Sequence, residues 1–479
     1  MERLIKVGKV EMKSAKNIKN SRLGIGFEKL DRNVFDPEKA YDKVAELGVK
    51  WVRIQSGWAR CEKQKGVYDF SWLDSIVDNL VSRGLCPWLN LVYGNEIYTD
   101  FAKQYFGNVG CPPIGSKEEL DAWCKYVYET VKHFKGRIEY YEIWNEPDLK
   151  YSWKHSNPEG VEEKGPDAKE YAAFAIATAK AIHAADENAK ALGFAIGHPS
   201  DTTFINSALA AGLGEHIDGI SFHIYAADDL RRPELITKIK TLSHMYNPKL
   251  EIVQGEAGAQ SRSDGAGAMR GFAWTQEKQR KYLLRGTLHD LASDVKFTSY
   301  FTTVDMIEAL RGLVAEKSSY LDYGYFGVLS AEFDEDGRST GNYSPKLSYY
   351  ALGTLASIFC EEYKAVNLPM FNFVQPSKRI NGFDNSDLTL CEYGFTKPNG
   401  SWGFAYWNSV PLLTSTYEGT ISFKSYGCSG DKIQIVDLRD GTIYKLPDSM
   451  VTFANDNEII LNNIPLLDSP LLLTFGDFI

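Results

Sequence analysis

The chain has 479 residues, 44% of them hydrophobic and 24% charged, with a formal net charge of −10. At roughly 100–200 residues per domain, or somewhat more for one barrel, that length suggests one large domain and one small one, and the ordinary apolar share excludes wholesale disorder. The acidic balance argues against nucleic acid or an anionic membrane as the main partner.

No stretch approaches the ~20 apolar residues that span a bilayer. The N-terminus, MERLIKVGKVEMKSAKN, lacks the apolar core of a signal peptide. The expected location is therefore the cytoplasm, with secretion left open. Seven cysteines stand at 61, 86, 111, 124, 360, 391 and 428, without CxxC or Cys/His spacing. That pattern predicts unpaired thiols in a reducing compartment and no zinc site.

Along the chain, RLIKVGKV (3–10) alternates like a strand. Eight short apolar runs then alternate with amphipathic stretches of helical length. The runs are LGIGF (23–27), KWVRI (50–54), CPWLNLV (86–92), IEYYEIW (138–144), AKALGFAI (189–196), IDGISFHI (217–224), LEIVQGE (250–256) and VKFTSYF (295–301). Helical segments between them include 37–47, 71–83 and 117–134. Asp36–Pro37 reads as a cap followed by Pro at the first helical position, and Gly48 and Gly84 stand where helices should stop. Eight β-then-α units predict an α/β fold, a closed (β/α)8 TIM barrel over 21–359. After about 360, short alternating strands separated by turns such as PNGSWG and Asp440–Gly441 predict a C-terminal β-sandwich over 360–479. Residues 1–20 form an N-terminal segment that can pair with it.

In such a barrel the active site lies at the C-terminal ends of the strands. The fourth run ends in Trp144-Asn145-Glu146-Pro147-Asp148 and the seventh in Gln254-Gly255-Glu256-Ala257-Gly258. A single strand-end Glu is more often a salt bridge or a cap. Two of them across one pocket are what glycoside hydrolysis needs, one to protonate the leaving oxygen and the other to attack or to activate water.

On Asn145-Glu146-Pro147 and Glu256 the sequence resembles the clan A glycoside hydrolases, and the resemblance covers the whole predicted barrel. Within the clan, the length, the GVYDFSWLD segment (66–74) and the C-terminal sandwich are most similar to family 39, the β-xylosidase and α-L-iduronidase group, or a close neighbouring family. The IVQGEAGAQSR segment around Glu256 departs from the family 39 pattern. The resemblance implies Glu146 as general acid/base and Glu256 as nucleophile. It also implies that Arg53 contacts the nucleophile, that His223 and Tyr225 lie near it with the Tyr hydroxyl donating to it, and that Asn145 bonds the sugar 2-hydroxyl.

Further substrate-binding candidates follow other strand ends: Glu28, which can hold glycon hydroxyls, and Tyr93, Trp153, Trp274 and Phe301, since a pyranose has an apolar face that suits an aromatic ring. Many clan members place a Trp at the last of these positions; here a Phe or Tyr replaces it. The Tyr- and Gly-rich connection 302–344 is long enough to wall the pocket. The expected function is a retaining exo-β-glycosidase that needs no metal or organic cofactor. An endo-acting β-glycanase on the same barrel and a non-catalytic carbohydrate-binding barrel are the alternatives. An aldolase-type barrel would want a strand-end Lys, and none of the eight strand ends offers one.

Overall fold

A computed structural model describes residues 1, 4–155, 166–309, 312–374, 377–378, 389–428, 431–455 and 457–479. The eight apolar runs are parallel strands: β1 (Leu23–Gly26), β2 (Trp51–Gln55), β3 (Cys86–Leu91), β4 (Tyr140–Ile143), β5 (Lys190–Ile196), β6 (Gly219–Ile224), β7 (Glu251–Ala257) and β8 (Thr298–Tyr300). They pair in chain order, and β1 closes on β8 through Leu23–Thr298 and Ile25–Tyr300. The predicted (β/α)8 barrel is the observed fold.

A helix follows each strand: α1 (Tyr41–Glu46), α2 (Ser71–Ser82), α3 (Lys117–Phe134), α4 (Ala168–Ala185), α5 (Thr203–Ala210), α6 (Arg232–Tyr246), α7 (Gln276–Ala292) and α8 (Leu347–Ile358). Their limits follow from local chemistry. In α2, Leu73, Ile76, Val77 and Leu80 recur at helical spacing and are buried, so that face packs on the barrel. Ser116 accepts from the Glu119 backbone N–H and starts α3. The predicted helix 37–47 divides in two. Asp36 accepts from Glu38 N, Pro37–Lys39 winds as a tight 3-10 turn, and α1 begins only at Tyr41. Gly48 and Gly84 take φ of 74° and 81°, the left-handed conformation that ends a helix.

Side chains alternate along each strand, so the barrel interior is layered. Trp51, Trp88, Tyr140, Leu192, Val253 and Phe297 close its N-terminal end as an apolar plug. Two residues further along their strands, Arg53, Asn90 and Glu142 form a buried polar layer. The C-terminal ends of the strands lie above it. The β6–β7 pairing shifts register between Phe222 and His223, and the β7–β8 pairing shifts between Gln254 and Ala257. Such irregularities re-aim side chains beside active sites; this one accompanies Glu256 turning inward.

Among the described residues two antiparallel sheets make up the C-terminal sandwich. The larger runs in the order Ile5–Lys9, Thr442–Lys445, Gln434–Asp437, Leu471–Phe475, Trp402–Asn408, Leu390–Thr396, Lys364–Val366. The smaller runs Met370–Val374, Glu418–Tyr426, Glu458–Leu467, Val451–Asn455, with Ser377–Lys378 beside Glu418–Tyr426. The N-terminal strand thus joins this unit, with Ile5 opposite Lys445; residue 3 of the predicted strand lies outside the described residues. The sheets enclose their own core, including Phe404, Tyr406, Phe423, Ile435, Leu461 and Leu473. No helix among the described residues is long and apolar enough to cross a membrane.

Candidate active site

A cavity of about 610 Å³ opens at the C-terminal end of the barrel strands. Glu28, Tyr93, Asn145, Glu146, Tyr225, Glu256 and Phe301, all named from sequence, line it. Arg53 and His223 lie fully buried behind its wall and reach the cavity through the carboxylates they hold.

Glu256 is gripped at both oxygens. Arg53 Nη1 lies 2.8 Å from Oε2, and the Tyr225 hydroxyl donates a short hydrogen bond to Oε1. Burial opposes the charged form, but His223, Arg53 and the Tyr225 hydrogen bond outweigh it and hold the Glu256 carboxyl below its ordinary value. Burial and the Glu256 charge push the Tyr225 hydroxyl well up, so it stays protonated and remains a donor.

Glu146 sits on a turn in which Trp144 and Glu146 adopt φ of 67° and 51°. Left-handed backbone at non-glycine residues is uncommon and concentrates at functional sites. The buried Trp144 ring, whose Nε1 donates to Ser152 O at 2.8 Å, fixes this turn from behind. Glu146 Oε1 lies 3.0 Å from His223 Nδ1, and Oε2 accepts from the Tyr151 hydroxyl at 3.1 Å. His223 Nδ1 is also 3.8 Å from Glu256 Oε2, so one imidazole touches both carboxylates. Burial works against its charge, yet Glu256 and the hydrogen bond to Glu146 raise it above the ordinary His value.

One atom each of Glu146, His223 and Glu256 lies within 4.8 Å of the others. A metal ion can bridge ligands at that spacing. Here Arg53 and Tyr225 already take both oxygens of Glu256, so the charge is met by a guanidinium and a hydroxyl proton.

Arg53 organises the floor. Its Nε and Nη2 donate to Glu142 Oε2 at 2.9 and 2.5 Å, Nη2 also donates to Asn145 Oδ1 at 2.9 Å, and Nη1 lies 3.4 Å from Glu28 Oε1. Burial opposes its charge, but Glu142, Glu256 and Glu28 raise its pKa and keep it ionised. Glu28 moves the other way. Burial pushes its carboxyl up to about 7, Arg53 opposes this, and Glu256 adds to it. Gly255 must be small: a Cβ there would lie 2.3 Å from Ser221 Oγ and 2.9 Å from Glu142 Oε1.

Two aromatic expectations are corrected. Trp153 is fully buried; its Nε1 donates to Glu170 Oε1 at 2.9 Å, and its ring packs against Trp144, Tyr171 and Phe174. Trp274 is 3% exposed, donates to Met269 O at 2.8 Å and meets Tyr282 edge-on. Neither offers a free ring face, and neither lines the cavity. Phe301 does line it, with Lys29 Nζ 5.3 Å from its ring centre.

Several lining residues escaped the sequence reading: Lys29, Arg32, Gln55, Tyr151, His198 and Glu308. Lys29 and Glu308 form a buried pair at 3.5 Å; burial lowers the Lys29 pKa and raises that of Glu308. Glu308, Asp322 and Phe326 belong to the β8–α8 connection, of which residues 310 and 311 lie outside the described residues. Gln55 and Glu142 had a signal, since each stands an even step along its strand from an inward residue, Arg53 or Tyr140. Tyr151, His198 and Glu308 sit on loops without a period and had none.

The family model for glycosyl hydrolases family 39 matches residues 36–253, which takes in Glu146 and stops short of Glu256. A β-xylosidase of Caldicellulosiruptor saccharolyticus is 25% identical over 319 residues, 60% of this chain and 59% of the relative. The chain thus matches under two thirds of that relative's length. A β-xylosidase of Geobacillus stearothermophilus is 26% identical over 178 residues, 34% of this chain and 32% of the relative. Among solved structures, a family 39 glycoside hydrolase from Bacteroides cellulosilyticus WH2 superposes with a TM-score of 0.63 at 17% identity, covering 95% of this chain and 81% of that one. A family 39 β-xylosidase from Caulobacter crescentus gives 0.56 at 16% identity, covering 98% of each chain. At such identities the structures establish a shared fold. The chain resembles the glycosyl hydrolases of family 39 over residues 36–253 and shares its fold with the family 39 structures.

Proposed function

We propose that the protein is a retaining exo-β-glycosidase, with Glu256 as nucleophile and Glu146 as general acid/base. The observation that carries this reading is the pairing of the two carboxylates. An oxygen of Glu146 lies within 4.8 Å of one of Glu256. Retaining enzymes hold their carboxyl groups about 5–5.5 Å apart, while inverting ones leave about 6.5–9.5 Å for a water between them.

A Glu256 oxygen attacks the anomeric carbon, and the bond to the aglycone oxygen breaks. Glu146 gives that oxygen its proton. The resulting glycosyl ester is cleaved when Glu146 takes a proton from water, the hydroxyl adds to the anomeric carbon and the Glu256 carboxylate departs. Arg53 and Tyr225 keep Glu256 ionised and turned toward the sugar. Asn145, fixed by Arg53, is positioned for the 2-hydroxyl. Walls from the β1–α1 and β8–α8 connections favour a pocket that accepts a chain end over an open cleft.

Both curated relatives are named as β-xylosidases, so an aryl β-xyloside is the first substrate to test within a panel of p-nitrophenyl glycosides. Proton NMR of the first-formed sugar should show the β anomer. An α anomer appearing first would overturn the retaining mechanism.

A further inference from the structure

Beside the catalytic cavity, on the same face of the barrel, lies a second cavity of about 440 Å³. Its walls come from the loops after β1, β2 and β3, and Arg32 lines both cavities. Arg32 is a fixed partition. Its Nη1 lies 2.9 Å from Asp31 Oδ2, its Nη2 donates to Gln55 Oε1 at 3.0 Å, and its guanidinium covers the Tyr93 ring at 5.3 Å.

Phe106 gives this cavity a flat apolar face. Its ring stacks on Tyr320 at 4.4 Å and 6°, so it is backed from behind. Asn33, Lys63 and Glu96, all exposed, add an amide, an ammonium and a carboxylate to the same lining. Three cationic and three acidic side chains share the walls, which favours a neutral ligand over an anion. A stiff ring flanked by donors and acceptors suits a sugar, whose C–H face packs on the ring while its hydroxyls both donate and accept.

The position of this cavity sets which sugar it takes. Tyr151 and His198, from the loops after β4 and β5, line the catalytic cavity on the Glu146 side, where the departing group sits. Arg32 stands with Glu28, Lys29 and Gln55 on another wall. We propose that the second cavity is a subsite for a sugar attached to the glycon, so that the enzyme removes a disaccharide unit in one cut. This rests on the glycosidase reading above.

The test compares p-nitrophenyl β-xyloside with p-nitrophenyl xylobiosides linked β-1,2, β-1,3 and β-1,4, with product analysis at early times. At least one bioside should release intact disaccharide, with a kcat/KM roughly tenfold above the monoglycoside, the scale of one aromatic stack. Phe106→Ala should cut that bioside-to-monoglycoside ratio by a similar factor, and Phe106→Trp should preserve it. Turnover of the monoglycoside with only stepwise loss of single sugars from every bioside would overturn the subsite. An unchanged ratio in Phe106→Ala would overturn the role of the ring. Turnover of none of these substrates, nor of any glycoside in the panel, would instead overturn the glycosidase reading.

Discussion

Two clusters of buried charge sit at different places in this molecule, and their contrast separates structural from chemical use of the same side chains. At the joint between barrel and sandwich, the fully buried Arg285 donates to Asp468 O, Asn408 O and Val410 O and pairs with Asp229 at 3.1 Å. Asp229 also meets His289, which reaches Tyr393. These groups are spent on backbone carbonyls and on one another, and they tie α7 to the sandwich. At the barrel mouth, Arg53 is equally buried, but three carboxylates crowd it and two of them face an open cavity. Ionisable groups there are displaced in opposite directions, Glu256 down and Glu28 up. Saturated charge fixes a joint, whereas charge left facing a cavity is available to a substrate.

The largest effect that would sharpen this contrast is at Glu256. Glu256→Ala should lower turnover by roughly 10⁴-fold or more, and azide should restore it as an α-glycosyl azide by entering the vacated position. A β-glycosyl azide would show that the roles of Glu146 and Glu256 are exchanged. Next, Glu146→Gln should slow substrates with poor leaving groups by roughly 10²–10⁴-fold and activated aryl glycosides far less, since these need little protonation. Equal losses on both would transfer the general acid to another carboxylate, with Glu28 and Asp148 the next to test.

At the joint the pattern should reverse. Arg285→Ala leaves Asp229 buried with less compensation and should cost about 3–5 kcal/mol of stability, while the folded fraction keeps its kcat/KM. Denaturant unfolding and active-site titration read the two separately. A large loss of kcat/KM in folded protein would dissolve the distinction between the clusters.

The smallest effect is a pH dependence of stability. Glu28 rises from 4.5 in the unfolded chain to about 7 in the folded one. In that window the folded state binds a proton that the unfolded state has lost. The contribution is fully present below about 4.5 and disappears as pH rises through about 7. Glu28→Gln, neutral like the protonated acid, should therefore match wild type near pH 5 and become the more stable of the two by pH 8, as read from Tm. A difference that stays flat across this range would show that Glu28 is not displaced.

How much of this was legible in the sequence depended on periodicity. The barrel was, because eight β-branched or aromatic runs alternate with stretches such as Ser71–Ser82 whose apolar residues recur every three or four positions. Residues abutting a strand end, Glu146, Glu256, Tyr93 and Phe301, fall at the cavity because a barrel strand delivers its last residues there. Trp153 and Trp274 misled because loop aromatics obey no period, and packing against Trp144 or Tyr282 is as natural for them as a place in the pocket. Glu308 and Tyr151 were silent for the same reason. Their positions come from how long connections fold back, which no local pattern encodes.

The proposed roles meet their most direct test in a covalent trap. An activated 2-deoxy-2-fluoroglycosyl fluoride, of the sugar that the glycoside panel selects, should inactivate the enzyme with one sugar bound per chain. Peptide mapping by mass spectrometry should place that sugar on Glu256. A label on Glu146 or Glu28, or steady hydrolysis of the fluoride with no adduct, would contradict the assignment of Glu256 as nucleophile.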